Sequence, residues 1–528
     1  MPVIGFGLGL LGSALAGAPL PGLTIVNDIG DADSDDSVCT LREAIIAADN
    51  HASYHGCVFF GGGNPTLIEF NIPGSGVRQI AVASRLPEIT KQVILDGLTQ
   101  PGANCSVWPP TLLIEISSAG NGQYNGLTLS AGSAGSTVRG LVINGFNSNL
   151  GYAHNFNAAI NIDQSNLNAV ECNFLGTDPT GTMAVPNLRA VDINNASSNV
   201  IGSSGAARGY FSRNVMSGNT YGEVDTRDAG LNRISGNFIG TDVTGTVGLG
   251  GGAGVEIGSN PGPASDNIIG WDGFGDPALM RNIISGFTGA GNAGVLLGAG
   301  AIGNRVAGNY IGTDVTGMLA IPNFSGILLS SYSSIYHNII GNDGTQDAAS
   351  ARNVISGNSF VGIDVNGANG THDNAIVGNY IGMNAAGTAT LPNGSYSISI
   401  DFASANTLVA RNWLAGQGTA IRFFGISGFG GNSTASFINN SGGANVRLPS
   451  LDSSDNCVLG SAGVLVDAQG ADVPDPNTFQ DNWWGAATGP NTDGASSADG
   501  SIAASPYLTI PASVCGEVIF SDGFDPPP

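Results

Sequence analysis

Lysine is almost missing from this chain: Lys91 is the only one in 528 residues, and all basic residues number 16 against 40 acidic ones. The resulting net charge of −24 repels polyanions, and no basic stretch offsets it, so nucleic acid is disfavoured as a partner. A strongly anionic polysaccharide is disfavoured on the same ground unless metal ions bridge the charges. Charged residues of both signs together make up only 11%. Beyond the N-terminus no stretch reaches the ~20 consecutive apolar residues of a membrane-spanning helix. Walker loops, nucleophile elbows, zinc patterns and ordered Thr-x-Thr arrays are absent from the sequence as well. The histidines, His51, His55, His154, His337 and His372, fall at no metal-ligating spacing.

What the chain has instead is glycine, 82 residues of it, with much Asn, Ser and Thr and an apolar fraction of 42%. Short apolar triplets separated by Gly and Asn predict many short strands joined by tight turns rather than long helices. The triplets recur in phrases. Asn173-Phe174-Leu175-Gly176-Thr177-Asp178 returns as Asn237-Phe238-Ile239-Gly240-Thr241-Asp242 and as Asn309-Tyr310-Ile311-Gly312-Thr313-Asp314, with a degraded copy at Asn379-Tyr380-Ile381-Gly382-Met383-Asn384. A second phrase alternates with it, beginning at Arg213, Arg281 and Arg352 and reading Arg-Asn-(Val/Ile)-(Met/Ile)-Ser-Gly. The two phrases share one column of asparagines: Asn173, Asn214, Asn237, Asn282, Asn309, Asn353, Asn379 and Asn412. Two places on lies an apolar column: Leu175, Met216, Ile239, Ile284, Ile311, Ile355, Ile381 and Leu414. A third motif, Gly followed by a short apolar strand, starts at Gly254, Gly294, Gly326 and Gly362.

Each repeat of roughly seventy residues therefore holds two coils. A coil that short cannot bury its own apolar face, so it must stack on its neighbours. The fold expected is all-β: a right-handed parallel β-helix of about ten coils, its handedness set by the rule for parallel crossovers. Stacking would turn the Asn column into a ladder of side-chain amides about 4.8 Å apart. The first coil needs a lid, and Thr40-Leu41-Arg42-Glu43 is a capping box that opens a short amphipathic helix bearing Leu41, Ala44, Ile45 and Ala48 on one face.

Six cysteines fit an oxidising compartment. Cys39 with Cys57, flanking the helix, and Cys457 with Cys515, bracketing the C-terminal region, are the expected pairs; Cys105 and Cys172 are left open as a pair or as buried thiols. Residues 1–18 read as a secretory signal, possessing an apolar core and the small-residue run Ala14–Ala18 but no positive start. The remaining expected divisions are an N-terminal cap over 19–60, the β-helix over 61–450, C-terminal coils and cap over 451–515 and a tail over 516–528.

The run Cys39-Thr40-Leu41-Arg42-Glu43-Ala44-Ile45 resembles the CSLREA motif of a large family of bacterial exported β-helix proteins. Leu95–Gly102, Val138–Asn144 and the repeats are similar to that family's recurring phrases, so the resemblance covers roughly residues 24–490. It implies a pectin-lyase-like fold and an exported or cell-surface location, and it implies no activity. The tail Ile519–Phe524 resembles a short motif that ends many exported proteins of Gram-negative bacteria.

Several residues are candidates for chemistry. Asp178, Asp242 and Asp314 recur too regularly for a catalytic site, which is needed once, and read as turn-formers. Arg213, Arg281 and Arg352 read as corner residues pairing with surplus carboxylates. In the acidic run from Asp28 to Asp36, Asp31, Asp33 and Asp35 alternate like the start of a calcium loop, although Asp36 stands where an EF-hand has Gly and Arg42 where it has a carboxylate. Trp271, Trp483 and Trp484 are candidate sugar-stacking rings. Periodic structure without an aperiodic catalytic cluster points to a non-catalytic exported surface protein, for attachment or for recognition of a glycan or a protein. Two alternatives stand beside it. One is a polysaccharide lyase or glycoside hydrolase with its site in an irregular loop, for example around 147–158 or 259–280, which three carboxylates converging in one groove would favour. The other is a structural cell-surface component.

Overall fold

The computed structural model describes residues 21–415, except 121–122, 148–156, 259–261, 331–333, 343–347, 367–369, 402–406 and 411, and beyond them the strands Ile421–Phe424, Ala435–Ile438, Val446–Arg447, Val464–Asp467 and Ser497–Ala498. Three long parallel sheets wind as a right-handed parallel β-helix, and each successive strand of a sheet belongs to the next coil. The first sheet runs over thirteen strands from Pro21–Val26 to Ala435–Ile438. The second has eleven, from Arg78–Val82 to Trp413–Leu414, and the third thirteen, from Leu127–Leu129 to Ser497–Ala498. A fourth, short sheet of Ala264–Ser265, Ala301–Ile302, Ile335–Tyr336 and Thr371–His372 lies at one corner. The repeats count about ten coils where the longest sheets hold thirteen strands, because strands before residue 137 and beyond residue 415 lie outside the Asn column, which runs from Asn173 to Asn412.

The bore is a single apolar cluster. The column from Leu175 to Leu414 stacks strand on strand through the second sheet, and each of its residues is fully buried. Glycine at the start of the third-sheet strands has a packing reason. A Cβ added at Gly326 would come within 2.7 Å of Ile355 Cγ2 and 2.9 Å of Asn358 Nδ2.

Corners are closed by amides. Each Asn of the predicted column donates from Nδ2 to Oδ1 of the next, unbroken from Asn173 to Asn412. A second ladder runs Asn168–Asn199–Asn232–Asn267–Asn304–Asn338–Asn374. Its corner turns through left-handed residues such as Leu167, Leu231 and His337, each just before a rung. A third ladder is interrupted: Asn187–Asn219, then Asn323–Asn358–Asn393, with Phe287 between.

The first coil is lidded by α1, Leu41–Asn50, whose capping box is formed on both sides by Thr40 and Glu43. It packs its buried face on the first two strands of the first sheet. Cys39 is bonded to Cys57, and Cys105 to Cys172. Cys457 and Cys515 lie outside the described residues. No helix of the described residues is long and apolar enough to cross a membrane.

Asn282 is a mid-ladder rung: Oδ1 accepts from both the backbone N and Nδ2 of Asn237, and Nδ2 donates to the Ile234 carbonyl at 2.9 Å. Each buried polar group left unpaired costs about 1–3 kcal/mol. Asn282→Ala should therefore lower unfolding free energy by about 2 kcal/mol or more in urea titration. A loss within error of zero would mean that the ladder does not hold the coils.

Candidate functional site

The outward face of the third sheet carries a column set by strict register: Asn161, Asp192, Asp225, Glu256, Leu296, Leu328, Asp364 and Ser399. Alternation explains their direction, since their strand neighbours Val191 and Ile193, Val224, and Val255 and Ile257 are fully or almost fully buried in the bore. Three acids on consecutive strands would repel one another were they alone. Two arginines compensate. Arg189 Nε lies 3.0 Å from Asp225 Oδ2, and Arg227 pairs with Asp192 and lies 3.7 Å from Asp225. The Arg189 guanidinium also covers the Tyr221 ring at 4.3 Å. Asp192, Asp225, Arg189 and Arg227 are each at most 5% exposed, whereas Glu256 is half-buried.

Burial, reinforced by the Asp225 charge, pushes the Asp192 carboxyl up to about 6 against the pull of Arg227 and Arg189. The same causes push Glu256 up to about 7. A carboxylic acid that holds its proton near neutral pH beside an ion-paired carboxylate is the arrangement of a proton donor.

One coil away, Glu223 is fully buried where the neighbouring coils have Ala190 and Gly254. Its carboxyl accepts from the backbone N and Nδ2 of Asn219, filling the gap in the third ladder. Gly251 makes the room, because a Cβ there would sit 2.6 Å from Glu223 Oε1. Burial raises the Glu223 pKa well above the usual range despite the Asn219 hydrogen bonds.

The residues singled out from sequence are placed as follows. Asp178, Asp242 and Asp314 each cap a protruding turn, accepting from the hydroxyl two residues on and from backbone N–H groups up to five on. Burial opposes ionisation of Asp178, but the hydrogen bonds from Thr180, Met183 and Thr182 prevail and hold its pKa below the usual value. These turns stack directly on one another, Val243 N donating to Gly181 O and Val315 N to Gly245 O. Each arginine of the row lies over an aromatic ring, a contact that the sequence reading did not anticipate. Arg213 lies over Phe238 at 4.1 Å, Arg281 over Tyr310 at 4.3 Å and Arg352 over Tyr380 at 4.1 Å. The Asn phrase puts an aromatic directly after its Asn, one coil on, which supplies the ring.

Trp271 is not an open stacking platform. It is 5% exposed, packed with Met280, Ala307 and Ala351, and its indole N–H donates to Gly275 O. The exposed ring of that loop is Phe274. Trp483 and Trp484 lie outside the described residues.

Asp31, Asp33 and Asp35 do not converge. Asp31 is taken by Arg42 at 2.9 Å and by the backbone N of Ala83, and Asp35 is exposed. Asp33 instead meets Glu43 and His55, with ligand atoms of the three within 4.8 Å of one another. An imidazole in the set suits a transition metal better than calcium, which takes oxygen ligands. Glu43 in that group is already committed to Ser34 N and Thr40 N.

The acid column had a legible signal that the glycine motif masked: Val191-Asp192-Ile193, Val224-Asp225-Thr226 and Val255-Glu256-Ile257 place an acid between two inward residues in three successive coils.

No family model matches the chain, and no curated protein matches it. Solved structures similar to it include the A-module of the Azotobacter vinelandii mannuronan C-5 epimerase AlgE6, with 13% identity, a TM-score of 0.30 and coverage of 91% of this chain and 100% of that one. DFA-IIIase from Arthrobacter chlorophenolicus A6 has 12% identity and a TM-score of 0.28 over 80% of this chain and 90% of its own. Tailspike protein 3 of bacteriophage CBA120 has 13% identity and a TM-score of 0.25 over 78% of this chain and 60% of its own. At these values the likeness carries no argument about activity.

Because Asp192 and Glu256 have folded pKa values above their ordinary 3.8 and 4.5, the folded state binds more protons than the unfolded state between those limits. Their stabilisation is complete below the ordinary values and is lost as pH rises through about 6 and 7. Urea midpoints should fall for the native chain between about pH 5 and about pH 8, and Glu256→Gln should fall less. Equal falls in both proteins would refute the assignment.

Proposed function

We propose that the outer face of the third sheet is the working surface of an exported β-helix protein that cleaves a glycosidic bond, with Glu256 as proton donor. The observation that carries this reading is the register of Asp192, Asp225 and Glu256 on three consecutive strands, ion-paired on one side and half-open at Glu256. Three carboxylates converging in one groove would favour the enzyme alternative, and here three share one sheet face. They arise on the sheet itself rather than in the irregular loops. Glu256 would give its proton to the glycosidic oxygen as the bond to the anomeric carbon breaks, and the Asp225 side chain paired with Arg189 would stabilise the positive charge developing there. Water then completes the hydrolysis and returns the proton to Glu256. Export is supported by two disulfides, which persist in oxidising compartments.

Recognition without cleavage is the second reading, and one observation favours it. Phe324 and Phe360 stack at 5.1 Å with Tyr396 at 6.5 Å beyond them, in a half-buried aromatic row along the edge of the same sheet. Such a row suits the flat faces of sugar rings. In that case the chain is a surface attachment or glycan-recognition scaffold.

The deciding experiment incubates the full chain and Glu256→Gln with neutral and uronic-acid polysaccharides, with and without calcium. New reducing ends and unsaturated-product absorbance are followed alongside retention in affinity gels. Reducing ends from the native chain that drop about 100-fold or more in the variant support the donor role. Unsaturated products would indicate elimination and refute hydrolysis. Retention of both proteins without new ends would refute cleavage and establish the recognition reading.

A further inference from the structure

A cleft away from the third sheet has the character of an anion site. It opens where the chain crosses from Val200–Gly202 of the first sheet to Val215–Met216 of the second, and it encloses about 280 Å³. Ser106, Ser203, Arg208, Tyr210, Phe211 and Arg213 are among the residues that line it. Its walls are stapled: Cys105 is bonded to Cys172, and Phe211 N donates to the Cys105 carbonyl at 2.8 Å.

Charge inside this corner does not balance. Asp96 is taken by Arg139 at 2.7 Å. Glu171 is taken by Arg208 at 3.3 Å and by the Tyr210 hydroxyl. Three arginines thus meet two acids, and the cation left over is Arg213. Its guanidinium lies over the Phe238 ring and 5.2 Å from Trp108, and its Nε donates to Gly236 O at 3.0 Å. Among the described residues no acid perturbs it; burial alone lowers its pKa, to about 10. Arg281 occupies the same column with the same ring stack and the same kind of carbonyl contact, through Gly308 O, but does not line the cleft. A half-buried cation that lines a cleft and meets no acid among the described residues, in a chain of net charge −24, is the feature that the shared corner role leaves unexplained.

We propose that this cleft binds a small polar molecule bearing a carboxylate, of the size of one sugar acid, with Arg213 as its counter-ion. A planar guanidinium matches a carboxylate edge to edge. Tyr210 and Phe211 offer ring surface to the carbon skeleton, and Ser106 and Ser203 offer hydroxyls to its polar groups. The volume lies at the small end of ligand pockets, which excludes a polymer lying at full width. The site is independent of the glycosidic reading of the third sheet, and it provides a local exception to the chain's general repulsion of anions.

Calorimetric titration of the full chain at low salt tests it, with D-glucuronate, D-glucose and inorganic sulfate as probes. Glucuronate should bind, with glucose weaker by about tenfold or more. Arg213→Gln should lose about tenfold or more, while Arg281→Gln, which removes the equivalent stack outside the cleft, should bind glucuronate like the native chain. Phe211→Ala, at a residue 38% exposed and so tolerant of truncation, should weaken binding severalfold and gives a second measure if Arg213→Gln fails to fold. Sulfate binding as tightly as glucuronate, glucose binding equally well, no heat with glucuronate, or unchanged affinity in Arg213→Gln or in folded Phe211→Ala would each overturn the assignment.

Discussion

The hydrogen bond from one asparagine side chain to the next is the interaction on which this molecule depends. A solenoid of short strands must turn three times in each coil, and every turn leaves inward-facing backbone groups without strand partners. Asparagine solves this with one side chain: its Oδ1 accepts from the backbone and Nδ2 of the coil before, while its Nδ2 reaches a carbonyl across the corner. Because the bond links equivalent positions, it also fixes register from coil to coil. A slip of one residue would turn the column from Leu175 to Leu414 out of the bore.

That fixed register produces the charged face. Once Val191, Val224 and Val255 are stacked inward, the residues after them must stack outward, and there the sequence has Asp192, Asp225 and Glu256. Stacking like charges is unfavourable, and burial makes it more so. Arg189 and Arg227 compensate part of it, and the remainder appears as the raised pKa values of Asp192 and Glu256, about 6 and about 7. Glu223 shows the same pressure resolved differently: it stands in for a missing amide rung, and Gly251 opposite keeps the space it needs.

The corner between the first and second sheets shows how additions to the repeat acquire individuality. The arginine phrase is a repeated structural device, a cation laid on the aromatic ring of the next coil. At Arg213 the loop following Val200–Gly202, pinned through Cys105 and Cys172, forms a cleft over that cation. A periodic residue becomes distinctive there through its cover and not through its own identity.

Legibility followed locality. The lid helix was readable because capping boxes and helical faces are set by residues three and four apart, and the Cys39–Cys57 pair by cysteines that flank it. The long ladder and the apolar column were readable because their spacing repeats. The other two ladders escaped notice, since their rungs fall in segments whose neighbouring residues vary. The fate of Trp271 was not readable, because its burial depends on Met280, Ala307 and Ala351, the last of these two coils away. Nor was the grouping of Asp33 with Glu43 and His55, which depends on how α1 and its flanking loops meet. The sequence by itself determined the architecture, for a period of two coils with Asn corners and apolar strands has no other way to bury its faces. Only the tertiary structure decided which carboxylates share a face, which arginine lines a cleft and which ring is covered, because proximity between coils is set by stacking and not by distance along the chain.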